Sequence, residues 1–100
     1  MRKGTTPTFT FAIPFGAELI KTAKVIFEGD NGVKLEKRTE DCWLSENEVS
    51  VRLTQEDTFL FDCNEYIKVQ LRIVTTAGDV LATDPARVFV AECLDDEVLE

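Results

Sequence analysis

The residues that could do chemistry are cysteines, serines and neighbouring carboxylates, because the chain contains no histidine. Without histidine, Ser45, Cys42 and Cys63 have no positioned base for nucleophilic catalysis. The cysteines form no CxxC pair and lack a histidine to complete a zinc site. We therefore expect Cys42, Cys63 and Cys93 to be reduced, buried or half-buried apolar side chains, with a Cys63–Cys93 disulfide as the less favoured alternative.

Adjacent carboxylates occur at Glu40-Asp41, Glu56-Asp57 and Asp95-Asp96-Glu97. Neighbouring residues of a strand point to opposite faces, so such pairs cannot form the facing carboxylates of a glycosidase. A calcium loop around Glu28–Asn31 is also disfavoured, because Gly32 comes too early and no distal glutamate follows at the right spacing. We expect no catalytic residue, no metal site and no cofactor.

Two aromatic side chains are candidates for contact with a partner. Trp43, the only tryptophan, and Tyr66 could stack on a sugar or on another protein. Because Trp43 lies beside Leu44, we favour a place over the core for it. Both residues are kept as candidate interaction residues.

The composition predicts one small folded domain. The chain has 100 residues, 44% of them hydrophobic, and a net charge of −8 from 11 basic and 19 acidic residues. The acidic balance disfavours direct binding to nucleic acid, and no segment reaches membrane-spanning length. We expect an N-terminal extension at residues 1–7, a domain at residues 8–93 and an acidic tail at residues 94–100. Because Met1–Pro7 lacks an apolar run, we expect an intracellular site of synthesis without a secretory signal.

The first half of the chain alternates between apolar and polar residues, which indicates half-buried strands. Thr8–Phe15 is one such strand, and Pro14 places it at a sheet edge. Thr22–Glu28 and Val33–Glu40 form a hairpin across a three-residue loop that ends at Gly32. This loop sets Phe27 opposite Leu35, and Val25 opposite Lys37, so that large apolar groups share a face.

In the middle of the chain, the alternation of apolar and polar residues is no longer continuous. Glu40–Asn47 is predicted to be a polar connection, and Glu48–Thr54 a strand with Val49, Val51 and Leu53 facing inward. Thr54 and Asp57 have the spacing of a helix N-cap, which predicts a helical turn near residues 55–60. We expect this turn to place Phe59 or Leu60 under the sandwich.

The last strands complete an all-β fold. Tyr66–Thr75 is the strongest strand and is expected at the centre of a sheet. A loop centred on Gly78 leads to Val80–Ala91, an edge strand interrupted by a bulge at Asp84-Pro85. The pattern predicts an antiparallel immunoglobulin-like β-sandwich of six to seven strands with one short helical turn.

Five stretches together resemble a family of small proteins encoded in prophages of Gram-positive gut bacteria. They are GTTPTFTFAIPF (Gly4–Phe15), Leu35-Glu36-Lys37, LTQEDTFLF (Leu53–Phe61), VQLRI (Val69–Ile73) and GDVLATD (Gly78–Asp84). The resemblance covers nearly the whole chain, and the family has no catalytic motif to transfer. It implies a phage protein from the structural gene region that encodes tail and baseplate parts, where immunoglobulin-like sandwiches are common.

We therefore hypothesise a non-enzymatic virion or assembly module that binds itself or a larger phage structural protein. Exposed edges are expected at Thr8–Phe15 and Val80–Ala91, where a partner could add a strand. The candidate contact residues are Phe9, Phe11, Trp43, Tyr66, Leu94, Val98 and Leu99. Leu94 and Val98 could be presented by a short helix, or the tail could fold back on its own domain. The alternative function is a small acidic inhibitor of a host nucleic-acid-binding protein.

Overall fold

A computed structural model describes residues Met1–Glu100 and contains eight strands and one short α-helix. The strands form two antiparallel sheets, which confirms the predicted all-β class. The elements are β1 (Thr8–Ala12), β2 (Ile20–Glu28), β3 (Lys34–Arg38), β4 (Cys42–Ser45), β5 (Glu48–Arg52), α1 (Gln55–Phe59), β6 (Glu65–Thr75), β7 (Val80–Ala82) and β8 (Ala86–Val90).

The smaller sheet has the order β1-β5-β4, and the larger one has the order β3-β2-β6 with both β7 and β8 paired to β6. β7 and β8 are therefore two pieces of one edge, and counting them once gives seven strands. The interruption falls at Asp84-Pro85, as predicted. Thr83 bridges the break, because its amide donates to the Leu71 carbonyl at 2.9 Å and its hydroxyl accepts from the Leu71 amide at 3.1 Å.

The two hairpins use the same kind of loop. Phe27 lies opposite Leu35 and Val25 opposite Lys37, which confirms the predicted register. The loop ends at Gly32, whose φ of +85° is left-handed. In the second hairpin, the predicted position of the loop, centred on Gly78, was wrong. The Thr75 amide donates to the Asp79 carbonyl at 2.8 Å, so the loop consists of residues 76–78. Gly78 is the last residue of that loop, with φ +92°.

One strand, β4, lies where the sequence indicated a polar connection. Its residues pair with β5 from Cys42 opposite Val51 to Ser45 opposite Glu48. A four-residue strand flanked by acids contains too few alternating apolar and polar residues to be recognised from the sequence alone. Its position is set by pairing with β5, whose inward residues Val49 and Val51 are fully buried.

The core lies between the two sheets. Phe27 of the larger sheet meets Phe9 of the smaller one edge to face, with ring centroids 5.3 Å apart. Most of the fully buried side chains come from the inward faces of β2, β5 and β6, as the alternation predicts, and the others are Leu53, Thr58, Phe61 and Val90. Burial of this apolar area is the main stabilising contribution to the fold.

The helix α1 closes one end of the sandwich. Thr54 caps it, as predicted, and exchanges hydrogen bonds with Asp57 in a reciprocal capping box. The expectation that Phe59 or Leu60 enters the core was wrong, because Leu60 is 47% exposed and Phe59 is only half-buried, whereas Phe61 is 1% exposed. Thr58 takes the inward position of α1, so the neighbouring Phe59 does not, and the chain turns at Leu60 before Phe61 enters the core.

The first residues of the chain are docked on the domain. The Met1 carbonyl accepts from the Ala91 amide at 2.6 Å, and the Lys3 amide donates to the Ala91 carbonyl at 3.1 Å. The hydroxyl of the buried Thr58 in α1 accepts from the Gly4 amide at 2.9 Å. These bonds fix residues 1–4 between β8 and α1.

Candidate functional site

Phe9 and Phe11 lie on the inward face of β1. They sit opposite Val51 and Val49 of β5 and are half-buried against the core. The outward residue between them, Thr10, has its hydroxyl 3.0 Å from the Ser50 hydroxyl. The surface of the β1 edge is therefore formed by small polar groups and not by the phenylalanine rings.

Trp43 lies on the outward face of β4, opposite Ser50 of β5. The prediction that it covers the core was wrong, because 58% of the side chain is exposed. The alternation of side chains along β4 explains this exposure. Cys42 and Leu44 take the inward positions, so Trp43 must face solvent. Since β4 pairs with β5 alone, Trp43 stands at an open sheet edge.

The tail folds back toward Trp43. No helix forms at residues 94–100, so Leu94 and Val98 are not presented together on a helical face. Instead, the Gln55 side-chain amide holds the backbone of Leu99: its nitrogen donates to the Leu99 carbonyl at 2.7 Å, and its oxygen accepts from the Leu99 amide at 2.8 Å. Leu94 remains fully exposed.

Trp43 and the end of the tail share a groove. The cavity of about 580 Å³ is lined by Trp43, by Arg52–Glu56 and by Val98–Glu100. Val98 is 38% exposed and Leu99 is 65% exposed, so the groove leaves apolar surface in contact with solvent. We call this region the Trp43 edge: β4 with Trp43, and the groove beside it.

Tyr66 belongs to a second surface, on the outward side of the larger sheet. Its ring meets Phe89 edge to face at 5.3 Å between centroids. The Arg87 guanidinium lies over the Tyr66 ring, 4.3 Å from its centroid. Tyr66 and Phe89 are 47% and 42% exposed. Sequence reasoning missed Phe89 and Arg87, although the β6–β8 pairing places both on the Tyr66 face.

The same outward side of the larger sheet is rich in cations. Alternation along β2, β3, β6 and β8 puts six basic side chains there: Lys24, Lys34, Arg38, Lys68, Arg72 and Arg87. The strands place only two acids, Glu28 and Glu36, on this side. We call this surface, with Tyr66 and Phe89, the basic face. The basic residues at alternate positions of these strands could have indicated this face from the sequence, but the net negative charge of the chain drew attention away from them.

One carboxylate organises part of the basic face. Glu36 is 2.8 Å from the Lys24 ammonium and 3.4 Å from the Arg38 guanidinium. The hydrogen bond from Lys24 lowers the pKa of Glu36, and the nearby cations contribute in the same direction. Lys24, Arg38 and Arg72 also line a small cavity of about 160 Å³. A cavity lined by three cations can accept an anionic group.

The cysteines are unpaired. Cys42 and Cys63 are half-buried, and Cys93 is exposed although it was expected to be buried or half-buried. Burial raises the pKa of the Cys42 thiol, and the carboxylates of Asp41 and Glu40 raise it further. A thiol with a raised pKa is a poor nucleophile at neutral pH.

The structure contains no cluster of three or more potential metal ligands. None of its helices combines the length and the apolar character that a membrane span requires. Comparison with protein-family models found no match, and no curated protein or solved structure matches the chain. The Trp43 edge and the basic face are therefore the two candidate binding surfaces.

Proposed function

We propose that the chain is a non-enzymatic protein-interaction module that assembles with itself or with a larger structural protein. The observation that carries this proposal is Trp43, 58% exposed on a strand that has only one neighbour. Tryptophan is enriched among the residues that dominate binding energy at protein interfaces. A large aromatic group left on an open edge is well suited to be covered by a partner.

The open side of β4 offers a mode of binding. An edge strand presents unpaired amide and carbonyl groups, and an extended segment of a partner can pair with them. Trp43 and the adjacent groove, whose apolar lining residues are Leu53, Val98 and Leu99, would then contact alternate side chains of that segment. Because β1 presents mainly small polar groups on its outward side, β4 is the better edge of this sheet for binding.

We further propose that the two-sheet fold is an immunoglobulin-like sandwich and that the module is a phage virion or assembly protein of the tail or baseplate type. The support is the family resemblance, together with the open edges of both antiparallel sheets. Such a protein would be made in the bacterial cytoplasm and incorporated into a virion.

The acidic-inhibitor alternative has less support. An inhibitor that imitates nucleic acid needs carboxylates arranged on one face at a spacing like that of phosphates. Here the acids lie mainly in loops and in the segment Glu92–Glu100, while the larger sheet exposes a basic face. Competition with DNA for a host protein, weakening steeply with salt, would be the result that favours it.

Light scattering after size exclusion, over a wide concentration range, tests the proposal. Trp43 is the only tryptophan, so its fluorescence reports directly on the Trp43 edge. We expect association accompanied by a blue shift of the emission, because a partner would remove Trp43 from water. Trp43→Ser should weaken association at least tenfold.

Leu60→Ser is the matched control, since Leu60 is also about half exposed but lies at the end of α1. It should leave association unchanged. The proposal would be contradicted if the protein stayed monomeric, with unshifted emission, and if no tail component of an induced lysogen bound it in a Trp43-dependent way.

A further inference from the structure

The basic face has the opposite sign of charge from the molecule that carries it. Six of the 11 basic residues project from the outward side of the larger sheet, in a chain whose net charge is −8. Of these six, only Lys24 and Arg38 have a carboxylate within ion-pair distance, and both use Glu36. Lys34, Lys68, Arg72 and Arg87 have none. This surface therefore has unused capacity to bind anions.

The cations are arranged in two rows across the strands. One row contains Arg38, Lys24 and Arg72, and the other contains Lys34, Lys68 and Arg87, with Glu28 between Lys34 and Lys68. The rows are four residues apart along each strand, which corresponds to about 13 Å. The cavity of about 160 Å³ lies on the first row, and the exposed pair Tyr66 and Phe89 lies just beyond the second.

The chain also contains a complementary segment. Glu92–Glu100 has five acids and no base. Its own domain holds it near its two ends: the Arg2 guanidinium donates to the Glu92 carbonyl, and Gln55 holds Leu99. Between these points, Leu94–Glu97 is exposed, and Leu94 is 100% accessible. The segment runs from β8 to α1, where it meets the groove beside the smaller sheet, and so it does not cover the basic face of its own molecule.

We propose that the basic face binds the acidic segment Glu92–Glu100 of a second copy of this chain. The inference rests on the proposed function, because it names one partner of the assembly module and a surface distinct from the Trp43 edge. Extended backbone from Glu92 to Glu97 spans about 17 Å, enough to connect the two rows of cations. The carboxylates of Glu92 and Glu97 then lie at the two rows, and one of them occupies the cavity beside Arg72.

This contact joins two different surfaces, the segment of one copy and the sheet of the next. Head-to-tail contacts of this kind generate rings when the rotation closes and filaments when it does not. The inferred interface therefore gives either a closed ring, of which two copies that exchange segments are the smallest case, or a filament, and both are consistent with a structural module.

Cations and aromatic rings on a sheet can also bind single-stranded nucleic acid. Two observations favour the protein segment. The net charge of −8 repels a polyanion that extends beyond the sheet. In addition, Tyr66 and Phe89 contact each other, and Arg87 covers one face of Tyr66, so that face is not open for base stacking.

A charge-exchange experiment on the full chain tests this inference. The face variant is Lys68→Glu with Arg72→Glu, and the segment variant is Asp95→Lys with Glu97→Lys. All four side chains are exposed, and none forms an ion pair, so the fold should tolerate the changes. In sedimentation equilibrium, each variant alone should associate at least tenfold more weakly than the wild type. An equimolar mixture of the two should recover mixed complexes.

Lys21→Glu, compared with Lys68→Glu alone, is the charge-matched control, because Lys21 is exposed and belongs neither to the basic face nor to the Trp43 edge. It should associate as the wild type does. Three results would overturn the inference: a wild type that is monomeric throughout, a control that fails as the face variant does, or a mixture that does not recover. Tight binding of a single-stranded oligonucleotide, lost in the face variant, would also overturn it by identifying the other occupant.

The outcome can be separated from that of the proposed function. If association persists in the face variant but is lost in Trp43→Ser, the assembly module stands and the basic face is not its interface. If Trp43→Ser has no effect and charge exchange succeeds, the basic face is the interface and the Trp43 edge is not.

Discussion

At the scale of single residues, Asp57 connects the helix to the larger sheet. Its carboxylate is 2.8 Å from the Lys37 ammonium and accepts from the Thr54 amide at 2.9 Å. Both charged side chains are mostly covered, at 17% and 14% exposure for Lys37 and Asp57. Desolvation raises the pKa of Asp57, but the hydrogen bonds from Lys37 and Thr54 outweigh it, so the pKa is lowered.

A lowered folded-state pKa makes stability depend on pH in a definite direction. The ionised Asp57 stabilises the fold above its unfolded pKa of about 4, and this contribution is lost as the pH falls through the folded value. We expect Asp57→Asn to lower the free energy of unfolding by about 1–3 kcal/mol at neutral pH. It should also flatten the decline in stability below about pH 4. Urea denaturation across pH measures both effects.

Glu56→Gln is the control for Asp57, because Glu56 is the neighbouring residue of the same helix and is exposed without an ion pair. This substitution should leave the decline of the free energy of unfolding at acid pH unchanged. Equal effects from the two substitutions would show that helix charge, and not the contact with Lys37, determines the acid response.

Gly32 allows a second prediction at this scale. A Cβ added to Gly32 would meet no atom within 4 Å, so the cost of a side chain there comes from the left-handed backbone, with φ +85°. We expect Gly32→Ala to lower the free energy of unfolding by about 1 kcal/mol. Gly32→Asn should cost less, because asparagine adopts this conformation more readily. Thermal unfolding of the two variants checks this order, and an equal loss in both would point to another cause.

At the scale of elements, local pattern and tertiary pairing contributed differently to what could be predicted. The β2–β3 register followed from the loop at Gly32 and from matching Phe27 with Leu35, since both are local in sequence. The strand β4 could not be found in this way. Its four residues become a strand only by pairing with β5, and this pairing decides which way Trp43 points.

For the candidate surfaces too, single residues were predicted from the sequence, but their neighbours from other strands were not. Tyr66 was identified as a candidate because it is a conspicuous residue type. The cations around it come from strands distant in sequence, and only the β2–β6 and β6–β8 registers bring them together. For the same reason, the inward position of Phe9 was predicted from alternation, while its contact with Phe27 required the packing of the two sheets.

The contact between α1 and the tail gives a prediction at the scale of elements. Gln55→Ala removes both hydrogen bonds to the Leu99 backbone. These bonds are exposed, so the free energy of unfolding should fall by no more than about 1 kcal/mol. The Leu99 amide should lose its protection from hydrogen exchange, which NMR can follow directly. Glu56→Ala, on the same helix, should leave that protection intact, and unchanged protection in Gln55→Ala would contradict the contact.

At the scale of the whole molecule, the distribution of charge matters more than its sum. Acids fill the loops and the segment Glu92–Glu100, while the basic face occupies one broad side of a body with extents of 46 × 28 × 17 Å. The net charge of −8 predicts that two copies repel each other. The separation of charge predicts that they attract in one orientation, where the segment of one copy faces the basic face of the next.

The response of association to salt distinguishes these two predictions. Raising NaCl from about 0.1 M to about 1 M shortens the Debye length from about 10 Å to about 3 Å. If net repulsion dominated, screening would strengthen association. If the basic face binds the acidic segment, screening weakens it, and we expect the association constant to fall at least tenfold over this range. Because contact at the Trp43 edge is largely apolar, any association through that edge should remain at high salt, and the blue shift of Trp43 emission should remain with it. Sedimentation and fluorescence on the same samples therefore assign each part of the assembly to its own surface, and association that grows stronger with salt would exclude the charged contact.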